Sequence, residues 1–254
     1  MTVDGKIALV TGGARRIGAA ISRDLAAYGF TVAIHHNGSD EEAEALSSEI
    51  AAAGGQAFTI VADLTNANAA AELIGSVSEQ AGSPCLLVNN ASIFEEDAVT
   101  DLDEAVWDAH FDLHLKAPAT LTSHLARNLP GDEAGLVVNI IDQRIWKLTP
   151  RYFSYTLSKS ALWTATQTMA QALAPRIRVN AIGPGPTLPN ERQSEADFKH
   201  QVMSVPLQRG PSLEEFGATI KWLWETPSVT GQMIALDGGQ HLAWETPDVA
   251  GIVE

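Results

Sequence analysis

Short apolar runs rich in β-branched residues recur along the chain: IALVT at 7–11, TVAIHH at 31–36, AFTIVA at 57–62, CLLV at 85–88, LVVNII at 136–141 and IRVNAI at 177–182. Runs of this length bounded by turn residues are the pattern of strands buried on both faces. Between them lie stretches with helical periodicity. In SDEEAEALSSEIAAA, Ser39 is placed to cap, Asp40, Glu41 and Glu42 complement the positive helix end, and Ala43, Leu46 and Ile50 form an apolar stripe. Uninterrupted strand–helix alternation predicts an α/β fold, a doubly wound parallel sheet with helices on both faces. No linker, repeat or low-complexity tract divides the 254 residues, so a single domain over 1–254 is expected. Residues 183–211 are the exception, rich in Pro, Gly and charge, with a short helical pattern around Glu195 to Val202. Such a segment beside a crevice is expected to be a substrate loop.

Composition narrows the partners. Hydrophobic residues make up 45% of the chain, enough to bury a sizeable core. A net charge of −15 at pH 7 repels phosphate backbones and anionic lipid surfaces, which argues against nucleic acid and membrane partners. No apolar run approaches the roughly 20 residues that span a bilayer, and the start lacks a basic stretch followed by a long apolar segment. A cytoplasmic protein is expected. Cys85 is the only cysteine and lies in the apolar CLLV, so a buried, inert thiol is expected. The seven histidines lie apart from it, and the adjacent His35 and His36 should face opposite sides of a strand, so no metal site is expected.

TGGARRIG, residues 11–18, follows the first strand and opens a helical pattern through Ile21 and Leu25. Glycines at such a turn let backbone N–H groups approach a pyrophosphate at a helix N-terminus, the arrangement of a Rossmann-like nucleotide site. The second strand ends in HHNGS, without the carboxylate that would bind a ribose 2′-hydroxyl and repel a 2′-phosphate. NADP(H) is therefore expected over NAD(H). Arg15 is placed to pair with the 2′-phosphate, and Ser39 and the backbone near Gly38 to donate to it.

Tyr155 and Lys159 stand four residues apart in SYTLSKSALWTATQTMAQAL, which reads as a helix, so both project from one face. An ammonium near a phenol favours phenolate and suits the pair to proton transfer. With TGGARRIG, Asp63 after the third strand, NNA at 89–91, NAIGPG at 180–185 and LDGG at 236–239, the set resembles the short-chain dehydrogenase/reductase family over essentially the whole chain. The resemblance implies that Tyr155 moves a proton, that Lys159 holds the nicotinamide ribose and lowers the tyrosine pKa, and that Asp63 contacts adenine. It gathers Gly12, Arg15, Arg16, Ile17, Gly18, His36, Ser39, Asp63, Leu64, Asn90, Ala91, Ser92, Pro184 and Gly185 around the cofactor. It also implies a homo-oligomer, a tetramer.

Three positions depart from the family pattern: Arg16 in the slot of the middle glycine, Asp142 in that of the catalytic serine, and His114 in that of the central-helix asparagine. Arg16, and Asp142 thirteen residues before the tyrosine, are similar to the pteridine reductase branch. NNASIF, and GPGPTL with the later VPLQR, resemble that branch too, and dihydromonapterin reductases share the histidine. Gly38 stands where pteridine reductases usually place an arginine. The resemblance implies a pterin substrate stacked on Phe94, with Ser92 contacting cofactor or substrate and Arg16 bonding the ring's oxo group or a cofactor phosphate.

A serine hydroxyl suits a ketone oxygen, whereas reducing a pterin C=N bond needs a proton delivered to nitrogen. Asp142 beside Tyr155 would share or reload that proton; alternatively it is a structural carboxylate paired with Arg144 or Arg151. The expected activity is NADPH-dependent reduction of a dihydropterin or related C=N substrate by Arg16, Ser92, Phe94, Asp142 and Tyr155. The alternatives are a carbonyl reductase of the same fold and a catalytically silent NADPH-binding regulator.

Overall fold

The computed structural model describes residue 3 and residues 5–190, 192–245 and 250. Seven strands form one all-parallel sheet: β1 (Ile7–Val10), β2 (Thr31–His36), β3 (Gln56–Val61), β4 (Leu86–Asn89), β5 (Gly135–Ile140), β6 (Ile177–Pro184) and β7 (Met233–Leu236). Their spatial order is β3-β2-β1-β4-β5-β6-β7. The six runs read from sequence correspond to β1–β6. β7, the short run MIAL, was not among the strands read from sequence.

Helices cover both faces: α1 (Arg16–Tyr28), α2 (Asp40–Ala52), α3 (Ala67–Ala81), α4 (Glu104–Phe111), α5 (Ala117–Asn128), α6 (Phe153–Leu173), α7 (Glu195–Met203) and α8 (Glu214–Glu225). Strands β1, β4 and β5 are buried at every residue, as a sheet covered on both sides requires. The edge strand β3 is half-exposed instead. Cys85 is buried and free, as expected.

Two local expectations changed. Ser39 precedes α2, but its hydroxyl makes no capping bond, because its backbone lies at φ −113°, ψ 51° instead of the extended geometry a cap adopts. Between α4 and α5 the helix widens into a π-helical turn over Asp112–Lys116, which sequence periodicity does not reveal.

The chain winds outward in one direction from β1 to β3 and in the other from β4 to β7, so the order reverses between β1 and β4. Connections leave the carboxyl ends of these two strands toward opposite faces and open a crevice there. A buried polar chain fixes α6 above it. Asn89 Nδ2 donates to Asn139 Oδ1 at 2.8 Å, Asn139 Nδ2 donates to Thr166 Oγ1 at 2.8 Å, and Thr166 donates to Leu162 O.

Candidate active site

A cleft of about 860 Å³ occupies this crevice. Gly12, Arg15, Arg16, Ile17, Gly18, His36, Ser39, Asp63, Leu64, Asn90, Ala91, Ser92, Phe94, Asp142, Tyr155, Lys159, Pro184 and Gly185 all line it. Among the described residues no cluster of His, Cys, Asp or Glu could hold a metal ion, and no helix is long and apolar enough to cross a membrane.

The turn after β1 is built by close backbone approach. Gly12 has φ +58°, and a Cβ on Gly18 would lie 2.0 Å from Gly12 O and 2.6 Å from Asn90 Nδ2, so no larger side chain fits at Gly18. Asn90 Nδ2 donates to the carbonyls of Thr11 and Gly12, both at 3.0 Å, which ties β4's end to the turn. Arg16 has φ +53°, so a non-glycine residue holds the left-handed geometry of a glycine slot at a cost of about 1–2 kcal/mol. Its guanidinium reaches Pro189 O at 3.0 Å. Arg15 lies 3.6 Å from Glu42 in an exposed ion pair that contributes little to stability, leaving its charge available at the cleft. Asp63 Oδ1 accepts from the Thr65 hydroxyl and N–H at 2.7 and 3.0 Å.

His35, on β2, holds this turn in place. Its Nδ1 accepts from Gly12 N–H at 3.1 Å and its Nε2–H donates to Ala62 O at 3.0 Å, a pairing open only to the neutral Nε2–H ring. Burial lowers its pKa to about 4. The unfolded chain, titrating near 6.5, binds a proton that the folded ring refuses, so stability is full above pH 6.5 and is lost as pH falls toward 4. Urea unfolding of the wild type should therefore lose about 2 kcal/mol more between pH 7 and 5 than His35→Gln does. Parallel pH dependences in the two proteins would refute this assignment.

Tyr155 Oη donates to Asp142 Oδ2 at 3.1 Å, and Asp142 Oδ1 accepts from Arg144 N–H at 2.7 Å. Lys159, buried, donates from Nζ to Ile140 O at 2.9 Å. Burial raises the Asp142 carboxyl above the usual carboxylate range, against the pull of Arg144, Tyr155 and Lys159. Burial, then the Asp142 charge, raises Tyr155 well above an ordinary phenol. Burial lowers Lys159 to about 8. Desolvation and the Asp142 charge both oppose the phenolate and only Arg144 pulls toward it, so the phenol is biased toward its protonated form, whereas the spacing from Lys159 alone pointed to the phenolate. The ion-pair reading of Asp142 also narrows, because Arg151 pairs with Glu96 at 2.7 Å. The Arg144 guanidinium turns to the rings of Tyr152 and Phe94, at 4.9 and 5.3 Å. Its buried Nη1 has no partner.

Phe94 stacks on Tyr152, with centroids 4.2 Å apart, and stands edge-to-face with Tyr155 at 4.8 Å. Described residues of the segment 183–211 border this corner. Arg192 donates to Phe94 O and pairs with Glu95 at 3.3 Å, while Leu188, Gln193 and Phe198 line the cleft wall. Glu191, inside that segment, lies outside the described residues. Sequence reasoning missed Arg144 as a cleft residue, Tyr152 as the ring stacked on Phe94, and Asp97, whose carboxylate accepts from Ser154 N–H at 3.0 and 3.1 Å and so caps α6 from 57 residues away. Only the spacing of Arg144 beside Asp142 was a signal.

Residues 6–199 match the family described as short chain dehydrogenase. The chain is 31% identical over 242 residues to 3-oxoacyl-(acyl-carrier-protein) reductase FabG of Staphylococcus epidermidis, covering 93% of this chain and 99% of that one. Among solved structures it is similar to FolM alternative dihydrofolate reductase 1 from Brucella canis complexed with NADP, at 60% identity and a TM-score of 0.95 over 98% of this chain and 99% of that one. It is also similar to a short chain dehydrogenase from Burkholderia cenocepacia in complex with NADP, at 33% identity and a TM-score of 0.88 over 96% and 100%. With its parallel sheet, glycine turn and Tyr155–Lys159 pair, the chain belongs to the short-chain dehydrogenase family.

Proposed function

We propose that the protein is an NADPH-dependent reductase of dihydropterins or related bicyclic C=N substrates. The observation that carries this reading is the Tyr155–Asp142 hydrogen bond at 3.1 Å beside the Phe94 ring, in a chain 60% identical to a dihydrofolate reductase. The cleft fits NADP(H). The first turn of α1 carries no acidic residue, the glycine turn allows close backbone approach, and His36 Nδ1 is buried without a partner. Gly12, Arg15, Arg16, Ile17 and Gly18 would hold the phosphates, with His36, Ser39, Asp63 and Leu64 at the adenosine end. Asn90, Ala91, Ser92, Lys159, Pro184 and Gly185 would line the nicotinamide end. When bound, NADPH supplies the hydride to a ring carbon next to nitrogen.

This chain's own residues handle the rest. Phe94 stacks on the substrate ring, and Arg16 and Ser92 bond its polar edge. Tyr155 passes its proton to the ring nitrogen, completing addition of hydride and proton across C=N, and the raised Asp142 carboxyl reloads the phenol. The 183–211 loop serves as the substrate loop. By family resemblance the protein acts in the cytoplasm as a homotetramer, which analytical ultracentrifugation would check.

NADPH oxidation followed with a panel of dihydropterins and ketones tests this reading. The 31% identity to a 3-oxoacyl reductase favours the second reading, a carbonyl reductase, and turnover of ketones alone would establish it. Tight NADPH binding without turnover of any pterin, quinone or carbonyl would establish the silent regulator. Arg15→Ala should weaken NADPH by about tenfold or more and leave NADH nearly unchanged, since one charge-assisted hydrogen bond is worth roughly 1.5–3 kcal/mol. Equal kcat/KM for the two cofactors in the wild type would remove the basis for this assignment.

A further inference from the structure

Two histidines one turn apart make parallel bridges beneath the proposed substrate platform. His110 closes α4 and His114 lies in the π-helical turn, and both are buried. Their rings stack with centroids 5.4 Å apart. His114 Nε2 accepts from Ile93 N–H at 3.2 Å, and its Nδ1 lies 2.9 Å from Ser158 Oγ. The Ser158 hydroxyl already donates to Tyr155 O at 2.8 Å, so Nδ1–H is the donor of that pair. His110 repeats the arrangement: Nε2 accepts from Glu95 N–H at 3.4 Å, and Nδ1 lies 2.7 Å from Ser154 Oγ.

Each ring thus joins the loop after β4 to the first turns of α6. The loop anchors are the N–H groups of Ile93 and Glu95, on either side of Phe94, and the Ser92 hydroxyl, 2.9 Å from His114 Nε2. The two helix anchors, Ser154 and Ser158, flank the turn that starts with Tyr155. We propose that His110 and His114 are paired positioning residues that hold the Phe94 ring against Tyr155 while both imidazoles are neutral Nδ1–H tautomers. The inference rests on the dihydropterin reading for the meaning of the Phe94 platform, though not for the bridges themselves.

The surroundings favour neutrality. Burial lowers the pKa of both rings. Lys159 on α6 disfavours charge on each, and the Tyr155 ring packs edge-on against both at 5.8 and 5.4 Å. Asp97 and Glu95, on the loop side, favour charge on His110 without overcoming desolvation. Protonation would turn each Nε2 from acceptor to donor, and the backbone N–H groups of Ile93 and Glu95 would lose their partners. An imidazole spans loop and helix with one donor and one acceptor at opposite ends of a rigid ring, which a shorter side chain at the same positions would not reach.

Two measurements separate this inference from the reading it rests on. Nitrogen-15 NMR of histidine-labelled wild-type protein should show two rings that stay in the neutral Nδ1–H form from pH 8 to 5.5. Titration of His110 and His114 near pH 6.5, or an Nε2–H signature for them, would overturn the bridges whatever the substrate. If the signatures are present and no dihydropterin is reduced, the substrate reading alone falls. In steady-state kinetics with a dihydropterin, His110→Phe removes both the Glu95 and the Ser154 bonds; release of the loop anchor at Glu95, on the scale of one hydrogen bond, should raise KM about five- to tenfold, with kcat and the NADPH Kd within about twofold. His110→Gln, which keeps a donor and an acceptor, should restore much of that loss. An unchanged KM in His110→Phe, or a uniform loss of kcat, KM and NADPH binding that Gln does not relieve, would refute a positioning role.

Discussion

Asp142→Ser is expected to cut dihydropterin turnover by about 10²- to 10⁴-fold, the range typical of a general acid, while ketone reduction falls far less. The asymmetry follows from the proposed proton path. Asp142 Oδ1 is anchored by Arg144 N–H at 2.7 Å, which leaves Oδ2 aimed at the Tyr155 hydroxyl, 3.1 Å away. Because burial lifts its pKa, the carboxyl keeps a share of its proton at a pH where a solvated aspartate has none. A ketone oxygen needs a hydrogen bond that serine supplies, whereas a ring nitrogen needs a reloaded proton. The dihydropterin rate should fall as pH rises through the raised Asp142 pKa, since the protonated form is then lost. Carboxyl and phenol titrate as a pair, so the wild-type profile should show two macroscopic pKa values and the serine variant one fewer. Rates for both substrates across pH in both proteins check this, and an equal loss on pterins and ketones would make Asp142 a structural residue.

Tyr155→Phe should remove most turnover on either substrate, again about 10²- to 10⁴-fold, while the NADPH Kd stays nearly unchanged. The ring keeps its edge contact with Phe94 and its packing against His110 and His114, so the cleft retains its shape. Only the hydroxyl that meets Asp142 is lost. Lys159→Ala should differ by damaging binding as well as turnover, because the buried ammonium both faces the cleft and ties α6 to Ile140 O at the end of β5. Cofactor titration by fluorescence together with steady-state rates separates the two outcomes. Near-wild-type turnover in Tyr155→Phe with the true substrate would end the proposed mechanism.

The sequence by itself determined the parts of this protein that local pattern encodes. Short, mostly apolar runs separated by helical periodicity point to β1–β6 and to helices between them, because a strand covered on both faces is apolar over most of its length. The glycine turn at 11–18 and the i, i+4 spacing of Tyr155 and Lys159 were legible because backbone freedom and helix geometry are local properties. That these residues line one cleft follows from the reversal of strand order between β1 and β4. Contacts between distant residues were not legible. Asp97 reaching the N-terminus of α6, His35 joining Gly12 to Ala62, Arg16 meeting Pro189, and Arg144 turning from Asp142 to the aromatic rings depend on which elements fold beside one another. The protonation of Tyr155 was likewise a tertiary matter. Its spacing from Lys159 favours the phenolate, but the water excluded from around the phenol and the carboxylate brought beside it decide the balance, and both exist only once the sheet, α6 and the Asp142 turn have packed.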